Sequence, residues 1–134
     1  MTTQTYQENL LAQAELVKYN DRTFDNFLKL LKLSEKQFNE AIEDYPVRSF
    51  NKNIEIKQSV ISGVGCYSTI DHNKEDVVGI VLVDDIKTKL GRYTNHCKDP
   101  NVFLKNNKFI ALKKISKNTE IKVDYFENLI TLLK

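Results

Sequence analysis

Tryptophan is absent from the 134 residues, and there are only one methionine, two prolines and four glycines. So little glycine and proline excludes collagen-like, linker-like and low-complexity chains. The two cysteines, Cys66 and Cys97, stand far apart with no Cys-x-x-Cys spacing. Neither a disulfide framework nor a tetrahedral zinc site is expected, and both are read as reduced thiols. No apolar run approaches the roughly eighteen residues that span a bilayer. The opening Met-Thr-Thr-Gln-Thr lacks the basic-then-apolar pattern of a secretory signal. The expected setting is cytoplasmic, with no membrane partner. An excess of one charge is also missing: 20 Lys and Arg face 18 Asp and Glu, a net charge of +2. That balance does not supply the basic stripe needed for phosphate neutralisation, so no direct nucleic-acid contact is expected.

What remains is an ordinary globular composition, 41% hydrophobic and 28% charged. A chain of this length folds as one unit and buries roughly two-thirds of its unfolded surface. Its charge is unevenly spread. Residues 1–46 carry 5 basic and 8 acidic side chains, and residues 47–134 carry 15 basic and 10 acidic. Pro46 therefore marks a boundary between an N-terminal helical segment, 1–46, and a second part, 47–134.

Helical spacing runs through the first part: Leu10, Ala14 and Val17, then Phe24, Phe27, Leu28 and Leu31, then Phe38, Ala41 and Ile42. Three helices are predicted: Thr5 to Lys18, one opening near Thr23, and one that starts at a capping box, Ser34-x-x-Gln37, and ends before Pro46. A helix-turn-helix reading fails on charge, because Glu35, Glu40, Glu43 and Asp44 on the would-be recognition helix repel phosphate.

Beyond Pro46 the period becomes two. Strands are predicted at Ile54–Ile56, Ser59–Ile61, Val77–Val83, Lys108–Leu112 and Glu120–Val123. Turn signals separate them at Ser62–Gly65, Asp71–Lys74, Asp99–Asn101, Asn106-Asn107 and Lys117-Asn118. A last helical pattern covers Phe126 to Lys134, through Leu129, Ile130 and Leu133.

Three segments could carry chemistry. Gly63-Val64-Gly65 lets a ligand approach backbone amides closely, and serves equally well as a hairpin turn. The polar stretch Arg92 to Asn101 sets Asn95, a donor and acceptor, beside the titratable His96, and reads either as a ligand loop or as a self-satisfied turn. Glu120 to Tyr125 ends a strand on a tyrosine, a residue with an apolar ring and a polar tip.

In order and residue content these segments resemble the SET domain of protein-lysine methyltransferases over roughly residues 52–127. Ser59-Val60-Ile61-Ser62-Gly63-Val64-Gly65-Cys66-Tyr67-Ser68-Thr69 is similar to the family's opening glycine motif. Gly91-Arg92-Tyr93-Thr94-Asn95-His96-Cys97-Lys98-Asp99-Pro100-Asn101 is similar to its Asn-His-Ser-x-x-Pro-Asn motif, with Cys97 in place of Ser. Ile115 to Tyr125 is similar to its Gly-Glu-Glu-Leu-x-x-Asp-Tyr motif, with Asn118 and Thr119 in place of Gly and Glu. The resemblance implies an α+β, mainly β fold: a β-clip of several small sheets with a knot-like C-terminal crossing, preceded here by the N-terminal helical segment. Such a crossing cannot be read from sequence pattern.

The resemblance also implies S-adenosylmethionine as methyl donor and no metal, with the acceptor lysine entering by a narrow channel from the opposite face. Carried over by position, Tyr125 is the catalytic tyrosine, and the donor is bound by Gly63, Val64, Gly65, Tyr93, Asn95, His96 and Phe126, with Phe126 or Leu129 covering the adenine. Asn95 meets the methionine moiety, His96 meets the adenine mainly through its backbone, and Asp124 is structural. The implied substrate is a protein, such as a histone or a ribosomal protein, presenting a lysine in a basic segment. A homodimer is possible, and for a viral member the setting becomes the nucleus or the host-cell interior.

The Val77 and Cys97 changes leave a second reading open, a degenerate module that binds donor or peptide without turnover, and three departures limit what the resemblance carries over. Val77 occupies the place of a second tyrosine found in many relatives. Val123, two before Tyr125, replaces an aromatic residue. Only eleven residues separate Gly79 from Gly91, so the insert that forms one wall of the substrate groove is nearly absent, as in the smallest viral and phage-like members. Either the acidic helices, with Glu40, Glu43 and Asp44, supply that wall, or they merely cap the sheets.

Overall fold

The computed structural model describes residues 5–43 and 51–134. Three helices open the chain: α1 (Tyr6–Leu16), α2 (Phe24–Leu31) and α3 (Glu35–Glu43), with a 3-10 turn over Tyr19–Asp21 between the first two. Side-chain oxygens of Thr5 and Thr23 cap α1 and α2. The capping box is formed: Gln37 N–H donates to Ser34 Oγ at 3.1 Å, and Ser34 N–H to Gln37 Oε1 at 2.8 Å. Lys32, at φ 58°, ends α2 in the left-handed region. The expected end of α3 and the boundary between 46 and 47 fall outside the described residues.

The rest is β1 (Ile54–Gln58), β2 (Val64–Ser68), β3 (Val77–Ile80), β4 (Leu82–Val83), β5 (Ile86–Lys87), α4 (Lys89–Tyr93), β6 (Asn95–His96), β7 (Val102–Lys105), β8 (Lys108–Ala111), β9 (Glu120–Val123) and α5 (Tyr125–Leu133). Three small sheets result, in the orders β1-β2-β9-β6, β3-β8-β7 and β4-β5. The α+β, mainly β architecture of small sheets is therefore present.

Its C-terminal crossing is visible in the first sheet. Strand β9 lies between β2, antiparallel, and β6, parallel, with Asn95 beside Lys122 and His96 beside Val123. Segment 95–101 then wraps β9. Cys97 N–H donates to Val123 O, and the Asn101 carboxamide takes both sides of the strand, donating to Glu120 O and accepting from Lys122 N–H, each at 2.8 Å. An extended β9 could not satisfy these groups otherwise.

Two strand predictions need correction. Ser59–Ile61 is no strand but the turn joining β1 to β2, because the Ser59 hydroxyl accepts the Ile61 N–H and bends the chain, leaving Val60 96% exposed. Gly63 completes this turn at φ +49°, which favours glycine. The run Val77–Val83 is split at Val81, whose N–H goes to Asn107 O and whose carbonyl accepts from Thr88 N–H. Strands β2, β5, β6 and β7 and helix α4 were not anticipated at all.

The core is one cluster around Cys66, Val81, Leu90, Val102, Phe109, Ile115, Ile121 and Val123. Cys66 and Cys97 are both free. The N-terminal helices are not detached from it: α1 and α2 pack on α5, burying Leu10, Ala14, Phe27 and Leu28.

Candidate active site

Asn95, half-buried at the start of β6, brings the three motif segments together. Its Nδ2 lies 3.1 Å from Ser62 O, 3.1 Å from Val64 O and 3.0 Å from Glu120 Oε2. Glu120 also accepts from the Ser59 hydroxyl at 2.7 Å. One carboxamide thus joins the glycine loop to β9, and its Oδ1 remains available as an acceptor. Gly65 sits beneath this junction, where a Cβ would meet the Glu120 carboxyl and come within 3.1 Å of Asn95 Nδ2.

His96 has both ring nitrogens occupied. Its Nδ1 accepts the Tyr125 N–H at 2.9 Å, so Nε2 carries the proton and donates to Arg22 O at 2.6 Å. Neither ring nitrogen is left free for a ligand. Burial lowers the ring's pKa from 6.5, and the Arg22 carbonyl opposes this only partly. The unfolded chain consequently binds more protons than the folded one between the folded value and 6.5. This contribution to stability is complete above about pH 7.5 and is lost as pH falls through 6.5. Urea unfolding from pH 8 to pH 5 should show the decline, and the slope should flatten in His96→Gln; equal slopes would remove His96 as its source.

Tyr125 opens α5 directly after β9. Its hydroxyl donates to Thr94 O at 2.8 Å. Burial, with a smaller contribution from the Cys66 thiol, pushes the phenol well above its ordinary pKa of 10. It stays protonated at neutral pH and cannot act as a base; its oxygen lone pairs can still orient a neighbouring group. The ring is enclosed by Phe27 at 5.3 Å, His96 at 5.1 Å, Phe24 at 6.1 Å and Phe38 at 6.2 Å between centroids. Phe24, Phe27 and Phe38 come from α2 and α3, so the helical segment forms part of the site.

A cavity of about 560 Å³ lies over this arrangement, within the range of small-molecule sites. Gly63, Val64, Tyr93, Asn95, His96 and Tyr125 line one side, and Phe24, Asp25, Glu35, Phe38 and Glu43 line the other. Two expected donor-binding residues do not reach it. Gly65 lies behind Val64, and Phe126 has no exposed surface and packs between Phe27 and His96. Of the acidic residues expected to wall a substrate groove, Glu43 faces this cavity and Glu40 is exposed beside Lys36; Asp44 lies outside the described residues.

No family model matches the chain, and no curated protein matches it. Among solved structures it is similar to a candidate histone methyltransferase from Plasmodium falciparum, with 18% identity and a TM-score of 0.44, covering 57% of this chain and 95% of that one. It is also similar to a Chaetomium thermophilum Polycomb Repressive Complex 2 bound to S-adenosylmethionine. There the identity is 19% and the TM-score 0.45, over 66% of this chain and 17% of the complex's chain. A humanized mutant of that complex bound to an inhibitor matches at 20% identity and a TM-score of 0.44, over 60% of this chain and 15% of that chain. Likeness at this level concerns the backbone; the functional reading rests on the side chains described above.

Several residues of the site carried no sequence signal of their own. Arg22 donates to both Asp124, at 3.1 Å, and Glu127, tying the helical segment to the start of α5. Arg92 gives an N–H to Ile42 O, holding α3 over the cavity, and its guanidinium lies 5.6 Å from the Tyr93 ring. Glu120 was part of a motif without an assigned role, and in the alternating run Glu-Ile-Lys-Val nothing set its carboxylate apart from the neighbouring Lys122. Among the described residues no group of His, Cys, Asp or Glu could hold a metal ion, and no helix is long and apolar enough to cross a membrane.

Proposed function

We propose that the chain is an S-adenosylmethionine-dependent methyltransferase of the small, viral or phage-like SET type. It acts inside cells on a lysine side chain in a basic segment of a protein. The observation that carries this reading is the shared cavity: the glycine-loop backbone, Asn95 and Tyr125, taken from three distant segments, line one space.

The residues suit the donor. Asn95 Oδ1 and the carboxylates of Asp25, Glu35 and Glu43 offer acceptors for an ammonium group and ribose hydroxyls. Phe24, Phe38 and Tyr93 offer faces for a purine. When bound, S-adenosylmethionine supplies a sulfonium methyl: the acceptor nitrogen's lone pair forms the N–C bond as the S–C pair returns to sulfur, and the surplus proton leaves the nitrogen.

The protein's part is alignment and exclusion of water. Thr94 O fixes the Tyr125 hydroxyl, so its lone pairs are presented in a constant direction, and the aromatic enclosure keeps the site dry. Lysine must react as the free amine, and at pH 7 deprotonation from a reference pKa of about 10.4 costs about 4–5 kcal/mol. An apolar channel next to positive charge reduces that cost.

S-adenosylmethionine at a hundredfold over its dissociation constant should add about 2.7 kcal/mol of stability, a melting shift on the order of ten degrees. An unchanged melting curve would overturn both the enzyme reading and the donor-binding alternative. Transfer of labelled methyl to the proteins of a cell lysate then separates those two.

A further inference from the structure

Glu120, the first residue of β9, is only 7% exposed and does not itself line the cavity. Among the described residues its carboxylate takes part in no ion pair. Lys57 and Lys122 share its face of the sheet, on either side of Gly65. Lys57, however, is engaged by the Glu55 carboxylate at 3.8 Å and lies 4.6 Å from the centre of the Tyr67 ring. A buried charge with no counter-charge is costly and calls for a reason. Its neighbours are neutral: the Ser59 hydroxyl and Asn95 Nδ2 donate to Oε2 at 2.7 and 3.0 Å, and the Tyr67 hydroxyl stands 3.3 Å from Oε1. Ser59 in turn accepts the Ile61 N–H at 2.9 Å, so one carboxylate anchors both the glycine loop and Asn95. The three groups around Asn95 Nδ2, namely the Ser62 and Val64 carbonyls and the Glu120 carboxylate, are all acceptors. Only the nitrogen of a carboxamide fits among them, which turns Oδ1 the other way.

We propose that Glu120 is a positioning residue acting through Asn95: it fixes the carboxamide with Oδ1 toward the cavity and adds negative charge behind it, selecting ligands that bring an ammonium group there. This deepens the donor-binding reading and rests on it. An N–H given to a carboxylate makes a stronger hydrogen bond than one given to a carbonyl, and it polarises the amide so that the opposite oxygen accepts better. The gain is largest for a donor that is itself charged, so the counter-charge missing inside the protein is supplied by the ligand. Asp25, Glu35 and Glu43 on the opposite wall are exposed, and solvent screens them; Glu120 is buried and keeps its field. Glu120→Gln isolates this effect, because it removes the charge and keeps the shape. The glutamine oxygen can still accept from Ser59 and Asn95, while its NH2 faces the Tyr67 hydroxyl, whose own proton has Gln58 O at 2.9 Å.

The test titrates the full chain with S-adenosylhomocysteine, with its desamino analogue, in which hydrogen replaces the amine, and with 5′-methylthioadenosine, which lacks the whole amino-acid end. Wild type should bind S-adenosylhomocysteine about tenfold more tightly than the desamino compound. Glu120→Gln should cut that preference about fivefold, leave the affinity for 5′-methylthioadenosine within about twofold and move the Asn95 side-chain amide signals in ¹⁵N spectra. In an Asn95→Ala background the same substitution should change the preference by less than about twofold, since the group that carries the effect is gone. Absence of any wild-type preference for the amine overturns the proposal, and that comparison needs no variant to fold. A preference unchanged by Glu120→Gln, an equal loss for all three compounds, or an undiminished effect without Asn95 also overturns it. Failure of wild type to bind both S-adenosylhomocysteine and 5′-methylthioadenosine overturns instead the donor reading beneath it.

Discussion

Arg22→Ala should destabilise the protein by about 3–5 kcal/mol, the loss expected when one partner of a buried ion pair is removed and the other stays charged. The Asp124 side chain is only 2% exposed, and its Oδ2 lies 3.1 Å from the guanidinium. Its other oxygen caps α5 through the Phe126 N–H at 2.8 Å. Without Arg22 the carboxylate stays desolvated with no positive charge beside it. The Arg22 backbone holds His96 Nε2, so the same residue braces β6, β9 and α5 from the helical segment. Urea unfolding measures the loss. Adding Asp124→Asn to Arg22→Ala should recover part of it, because a neutral carboxamide still caps the helix without carrying a charge. A loss below about 1 kcal/mol would place this pair with ordinary surface ion pairs and would mean that the helical segment is held by its aromatic contacts alone.

That latch shows what the sequence could and could not reveal. Local chemistry was legible. The Ser34 and Gln37 capping box announced α3, and Asn106-Asn107 announced the β7–β8 turn, where both residues adopt positive φ. The three motif segments were legible too, and Asn95 and Tyr125, singled out in two of them, line one cavity. Contacts between distant segments were not: Arg22 and Asp124 are separated by 102 positions, and neither differs locally from a solvated charge. The parallel pairing of two-residue β6 with β9 leaves no periodicity to detect. Helix α4 was hidden by Gly91, which lowers helix propensity; a Cβ there would lie 2.5 Å from Val81 O, so close packing decides the residue. Phe126, expected with Leu129 as a cover for the adenine, is turned by α5 into the core instead. The acidic helices line two cavities: Phe24, Asp25, Glu35 and Glu43 face the one bordered by Asn95, and Phe27, Leu31 and Ile42 face the apolar one beside α5.

Tyr125→Phe should lower methyl transfer on the order of 100-fold, the effect of losing alignment at the reacting centre. The substitution keeps the ring and hence its contacts with Phe27, Phe38 and His96. It removes only the hydroxyl that Thr94 O holds at 2.8 Å. Donor binding, followed by the melting shift, should therefore persist within about threefold, and stability should fall by only about 1 kcal/mol for the lost hydrogen bond. With the donor saturating, kcat and kcat/KM for the acceptor should drop together, the pattern of an interaction made in the transition state. The pH dependence separates orientation from base catalysis. Burial raises the Tyr125 phenol above 10, so no ionisation of this residue should appear in the wild-type profile between about pH 6 and 9. Activity should rise with pH over that range as the acceptor lysine loses its proton, with the same slope in Tyr125→Phe. A slope that disappears with the hydroxyl would instead make the tyrosine the group that titrates. A wild-type protein that binds donor and transfers no methyl to any protein in a lysate would reduce the site to a binding module, and the two proteins would then be indistinguishable.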